Sequence, residues 1–254
     1  MVGTNKLALM TGVDIPFPSA QVIIHQPSMK EISYIGEESF FISCQILKFT
    51  KNDLEEQVRN SLVDISDFEV IIAVIKGDAF ESRYDTDSLL MLFTLIFPKY
   101  QVYIDFDKVA FVLIDEEEEK HYIDRDNFDD FKNILSDIFC WNSISGREDA
   151  PDYNAQSERA KEIAAKLKKG REKAAAAKGE GQNTSIYDRF MSILSVGLGV
   201  PIQGFNEYTV YQLQDAFDRY NLKDAYDRVF SCRLAGAVDI KDPDNWMKDI
   251  HSKN

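Results

Sequence analysis

Residues 156–178 read Gln-Ser-Glu-Arg-Ala-Lys-Glu-Ile-Ala-Ala-Lys-Leu-Lys-Lys-Gly-Arg-Glu-Lys-Ala-Ala-Ala-Ala-Lys, an alanine-rich basic stretch in an acidic chain. From Glu158 to Lys178 there are eight basic and three acidic residues, so the other residues carry about −19 within a total of −14. Alanine and lysine favour helix, so the stretch predicts a helical arm between two unlike parts.

The arm has two interpretations. As a solvated spacer it holds two domains apart, because Ile163 and Leu167 form too narrow a stripe for a coiled coil. As a binding element it uses Ile163, Ala164 and Leu167 to meet an acidic partner helix, or RNA. We favour the spacer and retain Ile163 and Leu167 as candidate partner-binding residues.

The composition limits the function classes. With 254 residues and 44% hydrophobic content, the chain can bury one sizeable core and a smaller second one. An isoelectric point near 4.7 argues against general nucleic-acid binding, because most of the surface would repel phosphates.

The cysteines and the apolar runs indicate location. Cys44, Cys140 and Cys232 lie far apart with no Cys-x-x-Cys pair, which is typical of thiols in a reducing cytoplasm. The apolar run near the N-terminus is too short for a signal peptide, and no stretch of about 20 apolar residues could span a bilayer. We therefore expect a cytoplasmic protein without a membrane segment.

The first hundred residues predict mixed elements. Residues 21–26 favour a strand, and Ser28 with Glu31 predicts a capping box for a helix over 29–35 that ends at Gly36. Residues 40–47 fit a strand or a short helix, and a local β-α unit is the preferred interpretation. Further helices are predicted over 53–62, 68–75 and 85–97.

Residues 100–106, 110–114 and 121–123 predict an antiparallel meander, followed by a helix from Asp126 or Asn127 to Trp141. After the arm, helices are predicted from Thr184 or Ser185, over 209–220 and over 222–237. The fold class is therefore α+β, with three parts: an α+β domain over 1–150 with a short antiparallel sheet, a basic helical linker over 151–182 and a small helical domain over 183–254.

No motif for catalysis or for a cofactor emerges. The glycines of residues 197–204 follow a helix and lack a Lys-Ser or Lys-Thr pair, so they predict a helix-to-helix turn and not a phosphate loop. The glutamates of 116–119 predict a solvated hairpin edge, since consecutive carboxylates splay to both faces. His25, His121 and His251 are singly placed, so we expect no metal, no cofactor and no enzyme activity.

The C-terminal part is rich in aromatic side chains, more than so small a domain can bury. Tyrosine and tryptophan are favoured as interface anchors. The candidate partner-binding residues here are Tyr208, Tyr211, Tyr220, Tyr226 and Trp246.

Two short motifs carry a family resemblance. Residues 26–40, Gln-Pro-Ser-Met-Lys-Glu-Ile-Ser-Tyr-Ile-Gly-Glu-Glu-Ser-Phe, resemble the opening of tail-assembly and baseplate-hub assembly proteins of tailed bacteriophages. The basic arm before a helical module that ends in Asp242-Pro-Asp-Asn-Trp-Met-Lys is similar to the layout of that family. The resemblance covers the layout and these two motifs.

The resemblance implies an assembly factor of the host cytoplasm that escorts a tail component, such as a tape-measure or hub protein, and is no enzyme. Two domains on a tether can hold an elongated client at two points, which raises the effective concentration. The alternative is a structural virion protein of the baseplate or neck. Self-association is left open.

Overall fold

Eight α-helices and two small antiparallel sheets make up the part of the chain that the computed structural model describes, residues 4–53, 64–76, 86–141, 185–236, 241–248 and 250. The predicted α+β class is confirmed, with helices alone at the C-terminal end. No helix in these ranges is both long and apolar enough to cross a membrane.

The N-terminal elements are one short helix, one hairpin and two further helices. In the hairpin, Ile15 pairs with Ile24 and Phe17 with Val22, with both ends of each strand buried. The predicted strand over 21–26 is confirmed in its central residues. The elements are α1 Lys6–Thr11, β1 Ile15–Phe17, β2 Val22–Ile24, α2 Met29–Ile35 and α3 Glu37–Lys48.

The capping box predicted for α2 is present. The backbone N–H of Glu31 donates to Ser28 Oγ at 3.3 Å, and the Glu31 carboxylate accepts from the backbone N–H of Ser28 at 2.8 Å. Gly36 follows the helix with φ of 83°, a conformation that glycine adopts at low cost. Local signals therefore define both ends of α2.

Residues 40–47 are helical, so of the two alternatives the helix is correct and the strand was wrong, while the local β-α unit is present as β2 followed by α2. Phe40, Cys44 and Leu47 recur at helical spacing and are buried, and α3 packs against the helix over 86–96. Ser43 is fully buried, and its hydroxyl is 2.7 Å from the carbonyl oxygens of both Ser39 and Ser88. Because α3 is buried on several sides, its apolar residues form a nearly continuous run. Hydrophobic periodicity cannot distinguish a buried helix from a buried strand in such a run.

The middle of the chain contains the main core. The predicted meander is confirmed, with Tyr103 opposite Val112 and Val112 opposite Tyr122. The predicted helix over 53–62 falls outside the described residues except Asp53, which ends a 3₁₀ turn begun at Lys51. The elements are α4 Asp67–Lys76, α5 Thr86–Ile96, β3 Gln101–Asp105, β4 Ala110–Ile114, β5 Lys120–Ile123 and α6 Phe128–Ile138.

Phenylalanines fill the space between the meander and the helices. The rings of Phe68 and Phe128 lie 4.6 Å apart, and those of Phe93 and Phe111 lie 4.8 Å apart. All four are almost completely buried. Such offset and edge-on ring pairs add to the stabilisation by burial.

The C-terminal elements are α7 Ile186–Leu198, a 3₁₀ turn Ile202–Phe205 and α8 Val210–Leu234. The two helices predicted over 209–220 and 222–237 are one continuous helix, so their separation was wrong. Asn221 does not break the helix, and ion pairs Lys223–Asp227 and Asp224–Arg228 continue beyond it at four-residue spacing.

Residues 1–140 and 190–254 form one compact unit, and residues 141–189 form a second. Within the first unit the backbone N–H of Met29 donates to the Tyr208 carbonyl at 2.8 Å, and Ser28 forms a β-bridge with Thr209. In the second unit the structure describes only Trp141 and residues 185–189. The arm and the predicted boundary near residue 150 lie outside the described residues, so the three-part division and independent folding of its ends stay predictions.

Candidate partner-binding surface

The core of the C-terminal module is the contact between α7 and α8. The rings of Phe190 and Phe217 stack with centroids 3.9 Å apart and an interplanar angle of 13°. Leu194 and Leu213 are fully buried. Thr209 caps α8 by accepting from the backbone N–H of Gln212, whose side chain returns a contact to the Thr209 N–H. Residue types at the helix start therefore determine where α8 begins.

The two halves of α8 differ in burial. From Val210 to Phe217 most side chains are buried, and α8 packs there against α1 and α6. Beyond Asn221 no described side chain of the helix is buried. The second half of α8 is therefore a helical segment that projects from the core.

An apolar stripe runs along this second half. Its members are Leu222, Tyr226, Phe230 and Leu234, spaced by four residues and so lying along one ridge of the helix. Tyr226 is 38% exposed, Phe230 55% and Leu234 76%. Exposed apolar ridges of this kind are the surfaces that recognise amphipathic helices.

Residues 241–248, hereafter the tail segment, contact the same helix. Arg219 donates from Nη1 to the carbonyl oxygens of Trp246 at 3.0 Å and Lys248 at 2.5 Å. Arg233 pairs with Asp242 at 2.5 Å. A cavity of about 260 Å³ lies between helix and segment, lined by Tyr226, Val229, Phe230, Arg233, Asp242 and Pro243.

A second apolar group surrounds the turn after α7. Val196, 85% exposed, and Leu198 end the helix, and Val200 and Ile202 follow it. The hydroxyl of Ser195 donates to the Val200 carbonyl at 2.7 Å, which holds the turn against the helix. The predicted helix-to-helix turn over 197–204 is present.

The predicted site residues fall into different environments. Tyr211 is 5% exposed and belongs to the core, whereas Tyr208 and Tyr226 are exposed. Tyr220 and Trp246 are half-buried. Tyr226 lines the cavity beneath the tail segment, and Trp246 is part of that segment. The partner-binding role of all five residues stays a prediction. Ile163 and Leu167 lie outside the described residues.

Phe230 belongs to the aromatic surplus noted in the sequence but was not among the candidate partner-binding residues, and Leu234 and the apolar residues of the turn were missed. The signal was present in the four-residue spacing from Leu222 to Leu234. What the spacing could not show is that this part of α8 extends past the core.

The acidic hairpin loop differs in part from the expectation. Glu116–Glu118 are exposed, as predicted for a solvated edge. However, donor atoms of Asp115, Glu119 and His121 lie within 4.8 Å of one another, an arrangement that could hold a metal ion. His121 Nε2 lies 3.1 Å from Asp115 Oδ2, and this contact is the main cause that lowers the pKa of Asp115. The chain reversal between β4 and β5 brings these groups together.

A polar cleft lies between α1, α2 and the start of α8, with a volume of about 470 Å³. In it, His25 Nδ1 is 2.8 Å from an Asp14 oxygen, and Nε2 is 3.3 Å from a Glu31 oxygen. Burial alone would raise the pKa of Glu31, but the Ser28 backbone and hydroxyl donors and His25 together lower it. This network stabilises the N-terminus of α2.

The C-terminal module matches a known family model. Residues 187–251, roughly a quarter of the chain, match the family model described as the second domain of YomV. YomV comes from the SPbeta prophage region of Bacillus, and the similarity to its second domain extends over this segment of the chain. The matched segment contains almost all of α7, all of α8 and the tail segment. No curated protein and no solved structure matches the chain.

Proposed function

We propose that this protein is a non-catalytic assembly factor of a tailed bacteriophage. In the host cytoplasm it binds and escorts a tail or baseplate component, such as a tape-measure or hub protein. The match to the YomV second domain supports the phage context. The resemblance of residues 26–40 and 242–248 to tail-assembly proteins supports the assembly role.

The observation that carries the proposal is the apolar stripe of α8. Phe230 and Leu234 are more than half exposed on a helix whose first half is buried. An isolated helical segment of this length is only marginally stable in water, so covering it by a partner is favourable. The apolar face of an elongated helical client would pack against such a ridge.

The sequence supports the non-catalytic part of the proposal. The chain has no nucleophile elbow around Ser195 and no phosphate-loop lysine after the glycines of 197–204. Binding alone accounts for the exposed aromatic and aliphatic side chains.

The test is capture of a tail component from a co-expression of the tagged protein with candidate tail and baseplate proteins. Tyr226→Ala and Phe230→Ala should each weaken binding by about 2 kcal/mol, while the melting temperature changes little. Lys223→Ala, an exposed substitution on the same half of α8, is the matched control. Unchanged capture in both aromatic variants would contradict binding through the stripe.

Mass spectrometry of purified particles separates escort from structural component. An assembly factor is absent from finished particles. Its presence there at the stoichiometry of a baseplate or neck protein would overturn the assembly-factor proposal in favour of a structural virion protein.

A further inference from the structure

The tail segment runs antiparallel to α8. Its beginning, Asp242, lies at Arg233, and its end, the carbonyl oxygens of Trp246 and Lys248, lies at Arg219. The two arginines are 14 residues apart on the helix, which is about 21 Å along its axis at 1.5 Å per residue. The segment therefore spans the length of the stripe's central residues.

The arginines and the stripe share one helix face. Arg219, Tyr226 and Arg233 follow each other at seven-residue intervals, so their side chains leave the helix in nearly the same direction. Tyr226, Val229 and Phe230 lie between the two anchoring arginines and line the cavity under the segment. The segment thus occupies part of the surface that a partner helix would need.

The tail segment covers the stripe loosely. Asp242 is 86% exposed in its side chain and Arg233 43%, and such a solvent-exposed ion pair contributes little to stability. The cavity of about 260 Å³ remains between the tail segment and α8. Met247 is 69% exposed and so adds little apolar contact to the helix. Polar contacts anchor the segment at its two ends, and Pro243 and Trp246 are its partly buried apolar residues.

We propose that residues 241–248 form a displaceable strap, which partly covers the middle of the apolar stripe of α8, at Tyr226 and Phe230, in the free protein and leaves it when a partner helix binds. The expectation of a partner helix rests on the proposed function. The strap itself is a property of the free chain. It limits access to Tyr226 and Phe230 and makes partner binding compete with an intramolecular contact.

The first experiment uses the free, full-length chain. Arg219→Gln removes the donors to the Trp246 and Lys248 carbonyls, and Arg228→Gln is the control because Arg228 pairs with Asp224 on the helix. The chain has two tryptophans and Trp141 is buried, so acrylamide quenching of the accessible fraction reports on Trp246. We expect Arg219→Gln to raise quenching and the fluorescence of a bound hydrophobic dye, with the control unchanged.

A chain that ends after residue 240 is the second variant, in case Arg219→Gln disturbs α8. It should bind the hydrophobic dye more strongly than the full chain without a lower melting temperature. No rise in dye fluorescence in either variant would overturn the strap, and so would a large fall in melting temperature on truncation, since the segment would then be part of the core.

The second experiment adds the captured tail component. If the strap is closed in about nine of ten molecules, releasing it tightens the dissociation constant roughly tenfold in Arg219→Gln and in the truncated chain. Weaker or equal binding in both variants would contradict competition. Failure of every tail component to bind would overturn the proposed function, whereas the quenching result decides the strap without any partner.

Discussion

Gly197 of α7 lies directly against the ring of Tyr220 of α8. A Cβ atom added at Gly197 would stand 2.3 Å from Tyr220 Cε2 and Cζ and 2.5 Å from its hydroxyl oxygen. Real Cβ atoms do not approach ring atoms this closely, so the absence of a side chain is what lets the two helices meet here. Tyr220, predicted as a partner anchor, is thereby half-buried within its own module.

Replacing Gly197 by alanine should destabilise the protein. The added methyl forces Tyr220 out of its place, and overpacking of this kind costs about 1–3 kcal/mol. Chemical denaturation measures the loss, with Ser192→Ala on the exposed side of α7 as the control. Gly197→Ala combined with Tyr220→Ala should lose less than the sum of the two single variants. Strict additivity would show that the two residues do not touch.

Glu31→Gln should reduce stability by about 0.3–1 kcal/mol near neutral pH, because the amide keeps an acceptor oxygen for the capping box but loses the negative charge at the helix N-terminus. The pKa of Glu31 is lowered from the ordinary value of 4.5 despite burial, by the Ser28 hydrogen bonds and His25. Its contribution is therefore complete above pH 4.5 and disappears as the pH falls through the lowered value. Denaturant midpoints from pH 7 to 3 should converge for wild type and variant, with Glu38→Gln as an exposed control. A difference between the two midpoints that stays constant over this pH range would show that the charge of Glu31 does not contribute to stability.

Cleavage in the arm should leave the two fragments bound to each other. Trypsin has eight Lys and Arg residues to cut after between Glu158 and Lys178. The contacts of Met29 and Lys30 with the carbonyls of Tyr208 and Asn206, together with the packing of α8 on α1, join the fragments without the arm. Size-exclusion chromatography of the nicked protein should give one peak. Two separate folded fragments would support the independent domains predicted from the sequence.

The glutamates of the hairpin loop should be dispensable for folding. Changing Glu116, Glu117 and Glu118 together to glutamine should alter stability by no more than about 0.5 kcal/mol, since exposed like charges repel each other. Asp115→Asn should lower the melting temperature more, because it replaces the Oδ2 that lies 3.1 Å from His121 Nε2 and removes the charge that strengthens the hydrogen bonds from the Glu117 and Glu119 backbone N–H groups to Oδ1. Calcium-dependent stabilisation of the wild type that Asp115→Asn abolishes would instead identify the loop as a metal site.

Only one of the three thiols should react quickly with a thiol reagent at pH 8. Burial, with Asp137 and Asp215 nearby, raises the pKa of Cys140 to about 12, so it stays protonated and inaccessible. Cys44 is buried and Cys232 is exposed. Cys232→Ser should abolish the fast phase, and denaturant should release the other two. A fast reaction that survives Cys232→Ser would contradict the burial of Cys44 or Cys140.

The sequence by itself determined the features that depend on neighbouring residues. Ser28 and Glu31 predict their helix start because capping needs only residues three apart, and the meander over 101–123 is evident from short apolar runs separated by turns. The aromatic surplus of the C-terminal part likewise indicated a surface with Tyr226 exposed.

Only the tertiary structure decided which apolar residues are covered. Tyr211 and Tyr226 lie on one helix, yet one packs in the core and the other is exposed, because the body of the protein reaches only the first half of α8. The bridge between Ser28 and Thr209 joins residues 181 positions apart, and no local preference encodes it. Burial and long-range pairing depend on where other elements lie. Periodicity along the chain therefore predicts which face of a helix is apolar, but not whether another element packs against that face.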